Sequence, residues 1–282
     1  KKARVKEAIG AVAVVLAAAV VALIGFGVVM VYSASAFEAA VRFGDAQHYL
    51  KRQAIYAGGA LVTMFIGSRI DYRRFRPFTY PFLLIVVAML GATVASLGHR
   101  AGNAYRWLAV GPIHIQPSEA AKVVLVLWLA YSLSKKQEKV RTFWVGFAPH
   151  MIVVGGLMIL CLKQPDFGSS VVLLTLTMSL MFVAGVRVWH IVVSSIGFAA
   201  GGAALILSSS YRYSRLLAWL NMEEHLQGLA YQPFQSVMSF GSGGFWGLGL
   251  GRGLQVLYLP EAHTDFIVAI IGEELGFVGI LG

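Results

Sequence analysis

The sequence predicts an all-α, polytopic transmembrane helical bundle with a large loop on the outer side of the membrane. Three observations lead there: 58% of the 282 residues are apolar, only 13% are charged, and mean hydropathy is +0.73. A soluble domain carries about 45–50% apolar and about 25% charged residues. Low charge and abundant aromatic rings exclude disorder. The single cysteine, Cys161, excludes an internal disulfide framework and a cysteine-rich zinc or iron–sulfur site. A formal charge of +10 would point to nucleic acid in a soluble chain. In a chain this apolar it reports orientation in the membrane.

A spanning helix needs about 20 apolar residues. Runs of that kind cover 9–31, 54–68, 78–97, 118–133, 147–162, 168–186, 191–208 and 266–282, about eight in all. The first follows Lys1, Lys2, Arg4 and Lys6 as a signal peptide would. It is too long for one and shows no cleavage site, so it reads as a span. The last run is still apolar at Gly282, which predicts further spans after it. With the N-terminus in the cytoplasm, the short inner connections hold Lys1, Lys2, Arg4 and Lys6; Arg69, Arg73, Arg74 and Arg76; Lys135, Lys136, Lys139 and Arg141; and Arg187. Basic residues on the other side are spread more thinly, so the positive-inside bias supports this orientation. Segment 209–265 then lies outside. It is too aromatic and too glycine-patterned for disorder and reads as a folded cap. The whole chain, 1–282, reads as one transmembrane domain.

Three outward segments carry polar groups that a membrane protein does not keep cheaply. The first runs from Gly102-Asn103-Ala104-Tyr105-Arg106-Trp107-Leu108 through Gly111-Pro112 to Gln116-Pro117-Ser118-Glu119 and Lys122. Pro117 suits a first helical turn, Glu119 favours the helix dipole there, and Lys122 lies one turn on, within reach of Glu119. An interfacial cap with a snorkelling lysine and a ligand-binding face both fit. The second is Lys163-Gln164-Pro165-Asp166-Phe167-Gly168, either strong turn chemistry or the lining of a cavity. The third is Leu259-Pro260-Glu261-Ala262-His263-Thr264-Asp265-Phe266, opening the last run, with Glu273 and Glu274 further inside it. Ionisable groups within a span are functional hypotheses by default. Glu261, His263 and Asp265 alternate, which suits one side of a strand but not one face of a helix, so no resident metal site is read from them. Residues 235–251, beginning Gln235-Ser236, contain a GxGxxG-like spacing. No strand or βαβ unit is expected around it, so a dinucleotide site is rejected. Its glycines would serve tight turns and close approach to a ligand.

Together these segments resemble the SEDS family, the bacterial cell-wall group of FtsW, RodA and the sporulation paralogue SpoVE. The matching pieces are Val31-Tyr32-Ser33-Ala34-Ser35, Arg106-Trp107-Leu108, Gln116-Pro117-Ser118-Glu119, Gln164-Pro165-Asp166-Phe167-Gly168, Gln235-Ser236, and the long stretch Leu259 to Phe266 continuing to Gly272-Glu273-Glu274-Leu275-Gly276. Glu261-Ala262-His263 is similar to the FtsW branch, where RodA proteins more often have Arg in the middle. The resemblance implies ten spans, two more than are visible here. It implies peptidoglycan glycosyltransfer on lipid II for septal cell-wall synthesis in division, with RodA-type elongation as the alternative within the family. The reaction inverts an α-linked donor into a β-1,4 linkage.

Asp265 aligns with the family's essential acid and is the expected general base, with an N-cap of the last span as the alternative reading. Glu261 and His263 are secondary candidates. Arg106, Lys122, Lys163 and Arg252 would stabilise pyrophosphate, and Glu119, Asp166, Gln235 and Ser236 complete the expected substrate-binding set. A divalent cation, Mg or Mn, would arrive with the pyrophosphate rather than in a protein-only site. The resemblance further implies a class B penicillin-binding transpeptidase as partner, other division membrane proteins and membrane lipids around it, and no nucleic acid. It places the chain in the bacterial cytoplasmic (inner) membrane with its active site outside. Two rival functions stand beside the enzyme: a transporter that flips lipid II, and a scaffold that only positions the transpeptidase. The acids cluster on the outer side and no internal repeat is visible, which favours the enzyme.

Overall fold

The first predicted span is the start of a much longer helix. In the computed structural model, which describes residues 2–95, 99–101, 104–110, 113–226 and 228–282, α1 runs through Lys2–Phe43. Gly102, Asn103, Gly111 and Pro112 of the first polar segment, and Lys1, lie outside the described residues. Forty-two helical residues rise about 60 Å, roughly twice the hydrocarbon thickness of a bilayer. The apolar stretch through Val31 therefore continues into a polar extension carrying Glu38 and Arg42. Gly44 ends the helix in the left-handed conformation (φ +69°), its N–H donating to Ala40 O at 3.0 Å.

The other elements are α2 (His48–Arg69), α3 (Thr79–Val94), β1 (His99–Ala101), β2 (Ala104–Val110), β3 (Ile113–Ile115), α4 (Pro117–Lys135), α5 (Ala148–Lys163), α6 (Phe167–Ala184), α7 (Val188–Leu207), α8 (Ser210–Leu220), α9 (Tyr231–Gly243) and α10 (Ile267–Leu281). All eight predicted runs are helical. Five stretches are long and apolar enough to cross a membrane: Gly10–Phe43, Tyr72–Val94, Phe143–Lys163, Phe167–Ala184 and Val188–Leu207. The remaining three predicted spans fall outside that set. Lys51, Arg52 and Arg69 lie on α2, Glu119, Lys122 and Lys135 lie on α4, and the sequence stops one residue after α10 (Ile267–Leu281).

The chain divides into two compact units, Lys1–Arg69 with Leu205–Gly282, and Ile70–Ala204. In the second, α4 packs on α3 and α6, and α5 on α6, around Leu90, Leu125, Leu129, Leu157, Leu173 and Met181. Three short antiparallel strands, in the order β1-β2-β3, join α3 to α4. The sequence reading did not anticipate them. The connection between α4 and α5 is hydrogen-bonded throughout and ends in a π-turn, Phe143–Phe147. Its Gly146 lies so close to the Val140 carbonyl that a Cβ would overlap it. The buried His150 holds this turn: Nδ1–H donates to Gly146 O and Nε2 accepts from Ser132 Oγ, both at 2.9 Å.

In the other unit α1 and α10 meet through Met30, Ala34, Ala269 and Ile270, with Leu259 and Ala262 sealing the same cluster. Segment 209–265, expected as a folded cap, holds α8, α9 and a series of turns. Its glycine stretch is the end of α9 and the loop after it, with no strand among the described residues of this unit.

Candidate functional site

The candidate residues fall into two clusters, one in each unit. In the Ile70–Ala204 unit, Pro117 opens α4, Ser118 is buried behind it, and Glu119 points to the surface. The expected pair forms: Lys122 Nζ lies 2.6 Å from Glu119 Oε2. Lys163, the last residue of α5, is exposed.

Asp166 has partners within the protein. It is the N-cap of α6, accepting from Ser169 N at 3.1 Å and Ser169 Oγ at 2.7 Å. It also accepts from Ser118 Oγ at 3.2 Å and Gln116 Nε2 at 3.5 Å. Arg106 braces the same turn, donating to the carbonyls of Gln164 and Pro165. Gln164, buried, donates in turn to Thr93 Oγ1 at 2.7 Å and Leu90 O at 3.2 Å. The turn reading of this segment is thus realised, and Arg106 and Asp166 hold the turn together with the start of α4.

Burial pushes the Asp166 carboxyl up, but the Ser169 hydroxyl and amide, the Ser118 hydroxyl and the Arg106 charge together hold it below its ordinary value. The sign follows. The stabilisation is fully present above the unfolded pKa, about 3.9, and is lost as pH falls through the lower folded value. Asp166→Asn should therefore lower the melting temperature at neutral pH. The gap to wild type should close in melts run at pH values below the folded pKa. A gap independent of pH would refute this assignment.

In the other unit the motif 259–266 forms a series of turns, not a helix. Leu259 and Ala262 are buried, while Pro260, Glu261, Thr264 and Asp265 are exposed. Tyr231 OH donates to Tyr258 O at 2.9 Å and ties the motif to the start of α9. Within it, Thr264 N and Asp265 N each donate to Glu261 O at 3.1 Å, and Thr264 Oγ1 reaches Glu261 Oε2 at 3.2 Å. The N-cap of α10 is Phe266, so Asp265 does not cap that helix. Its carboxylate is exposed and without a hydrogen bond or ion pair among the described residues.

His263 is held from the side. Its ring lies against Tyr49 with centroids 4.4 Å apart, and Nδ1 is 3.4 Å from Glu38 Oε2 without hydrogen-bond alignment. Glu38 also meets Arg42 at 3.5 Å. A cleft of about 360 Å³ opens beside the motif, lined by Phe37, Glu38 and Arg42 of α1 and by Tyr258, Pro260 and Glu261. Gln235 and Ser236 are half-buried on α9, and Arg252 is exposed in the glycine loop. Among the described residues no three His, Cys, Asp or Glu side chains converge to hold a metal.

The glycine loop approaches protein backbone. Leu248 N and Gly249 N donate to Glu273 O and Glu274 O at 3.0 and 2.9 Å, and Phe277 N donates to Gly244 O at 2.9 Å. This pairing needs the break in α10 at Gly276 (φ +67°, ψ −165°), where a Cβ would overlap Gly247 N. Glycine alone adopts such angles readily. Gly276→Ala should lower the melting temperature in detergent by several degrees, and an unchanged melt would contradict the geometry.

Two buried carboxylates complete the loop's support. Glu273 accepts from Leu254 N at 2.8 Å and from Gln255 N at 3.1 Å, and Glu274 accepts from Ser33 Oγ at 2.7 Å. The sequence reading flagged both as ionisable groups in an apolar run. It gave no role to Ser33, Glu38, Tyr49 or Gln164, although Glu38 and Arg42 stand at i,i+4 on the polar end of α1.

Multiple apolar helices with a polar, turn-built carboxylate site at one end define an integral membrane protein of polytopic helical type. A family model described as "Cell cycle protein", covering FtsW, RodA and SpoVE, matches residues 14–282. The chain belongs to this FtsW/RodA/SpoVE family. It is 44% identical over 273 residues to "Probable peptidoglycan glycosyltransferase FtsW" of Trichlorobacter lovleyi, covering 95% of this chain and 71% of that one. The same-named protein of Geobacter metallireducens is 43% identical over 266 residues, covering 93% and 70%. Among solved structures, a chain from work on the coordination of polymerization and crosslinking by a peptidoglycan synthase complex superposes with TM-score 0.69 at 26% identity. It covers 95% of this chain and 72% of that one.

Proposed function

We propose that this chain is a peptidoglycan glycosyltransferase that polymerises lipid II into β-1,4-linked glycan strands for the division septum. The observation that carries the reading is Asp265: an exposed, unpartnered carboxylate on a turn fixed by buried Leu259 and Ala262 and by internal hydrogen bonds. The names of the relatives support the activity.

The reaction forms a bond between a GlcNAc 4-oxygen and C1 of the donor MurNAc, and breaks the bond from C1 to the undecaprenyl pyrophosphate oxygen. The hydroxyl proton passes to Asp265, acting as general base, and the leaving group departs as pyrophosphate. Attack from the face opposite the leaving group inverts the α donor to a β linkage. Glu261 lines the adjoining cleft and His263 stands against Tyr49 and Glu38, which supports a role for Glu261 beside a sugar and for His263 behind it. In the same unit as Asp265 the exposed Arg252 is the candidate cation for the pyrophosphate, and in the other unit Lys163 is exposed and Lys122 pairs with Glu119. A divalent cation would accompany the pyrophosphate. The active site faces the outside of the bacterial cytoplasmic membrane, with the N-terminus inside. A class B penicillin-binding transpeptidase is the expected partner, crosslinking the strands as they form. The peptidoglycan synthase complex to which the chain is structurally similar supports an assembly of this kind.

The test is polymerisation of lipid II by the purified full-length protein with its transpeptidase partner, comparing wild type and Asp265→Asn. Polymer from wild type alone supports the proposal. Equal polymer from both removes Asp265 from it. Translocation of lipid II in vesicles without polymer from either replaces it with a transporter.

A further inference from the structure

The connection between α4 and α5 forms a second, oppositely charged cleft. About 400 Å³ of space opens between the last turn of α4 and Val145, and Lys135, Lys136 and Lys139 line it with Glu138 as the one acid. Arg141 follows, exposed. None of the three ammonium groups has a carboxylate within ion-pair distance among the described residues.

The lysines sit on ordered backbone. Lys139 N donates to Lys136 O at 2.9 Å and Thr142 N to Lys139 O at 3.0 Å, and Gln137 Nε2 donates to Ala184 O at 3.2 Å. Val140 is buried beneath, locked by the close approach of Gly146. Beside the cleft Phe143 and Trp144 stand 41% and 76% exposed. Exposed aromatic rings next to lysines at the end of apolar helices are the chemistry of a membrane–water interface. A solvated basic run would need neither the hydrogen-bonded turn nor the exposed indole.

We propose that this cleft binds the phosphate headgroup of an anionic membrane phospholipid, its acyl chains lying along the apolar faces of α4 and α5. Three uncompensated ammonium groups match a phosphodiester. The exposed Trp144 ring is suited to the level where headgroup meets hydrocarbon. Such a contact would seat this end of the helices at a fixed depth in a leaflet rich in anionic lipid.

The experiment is native mass spectrometry of the full-length protein in detergent, titrated with phosphatidylglycerol, with phosphatidylcholine, and with phosphatidylglycerol in the presence of millimolar inorganic phosphate. Phosphatidylglycerol adducts should form preferentially. Changing Lys135, Lys136 and Lys139 together to Gln should weaken them roughly a hundredfold, given the contribution of each basic residue near an anionic surface. Lys135 and Lys139 are exposed and Lys136 is half-buried, and the melting temperature checks that the variant folds. A second variant, with Arg73, Arg74 and Arg76 changed to Gln, should retain the adducts. Equal binding of the two lipids, an unaffected lysine variant, or equal loss in the arginine variant would overturn the proposal. Displacement by phosphate would reassign the cleft to a free anion.

Discussion

Asp265→Asn is expected to reduce lipid II polymerisation by about 10²–10⁴-fold, the range for removal of a general base, while leaving the fold intact. The two halves of that expectation have separate causes. The amide keeps the shape of the carboxylate but cannot take the proton of the attacking hydroxyl at neutral pH. Asp265 is exposed, its carboxylate makes no hydrogen bond or ion pair among the described residues, and α10 is capped at Phe266. Surface substitutions of this sort usually change stability by less than about 0.5 kcal/mol. Polymer length and yield would be read on gels, and melting temperature in the same detergent. A large drop in melting temperature would show that Asp265 supports the fold, contrary to its geometry.

Glu273→Ala should have the opposite signature: a large loss of stability, followed by loss of activity. The substitution removes the buried carboxylate that accepts from the part-buried amides of Leu254 and Gln255 at 2.8 and 3.1 Å, and leaves a gap where that side chain stood. Each unsatisfied buried group costs about 1–3 kcal/mol, a large share of the about 5–15 kcal/mol that separates most folded proteins from their unfolded state. Glu273→Gln should fall between, because the amide oxygen can still accept while its NH2 has no partner. Melting temperature and protease cleavage between Gly247 and Tyr258 would read the effect. A variant that melts like wild type would show that the loop does not depend on Glu273. Read together, the two substitutions separate chemistry from scaffold: one removes activity at constant stability, the other removes both.

Much of this was legible in the residues. Eight apolar runs became helices because a continuous apolar stretch has no other way to satisfy its backbone in hydrocarbon. The pairing of Lys122 with Glu119 followed from one turn of helical spacing. The start of α4 at Pro117 followed from proline's fixed φ. The strands 99–115 were not legible, since each is short and their alternation is interrupted by glycine and proline. The role of Asp166 was split between turn and ligand, and only the placement of Ser118 beside it decided for the turn. Ser33 was read only as part of a matching motif, and its bond to Glu274 and the contacts of Glu38 and Tyr49 with His263 were not legible because those partners lie far along the chain. Glu273 and Glu274 looked functional by the rule for ionisable groups in spans, whereas their hydrogen bonds make them anchors for the loop leading to Asp265.

The bond between Ser33 and Glu274 joins positions 241 residues apart. During synthesis α1 enters the membrane long before α10, and α10, carrying Glu273 and Glu274, is penalised for insertion by its two acids. The hydroxyl on α1 and the amides after the glycine loop are what make its acidic segment tolerable in a dry environment. Biogenesis therefore has an obligatory order: the early helix must remain available, unclaimed by other chains, until the late one arrives. Cells producing a Ser33→Ala chain should accumulate a protein whose α10 is incompletely seated and open to membrane quality-control proteases, a defect of assembly and lifetime distinct from any defect of catalysis.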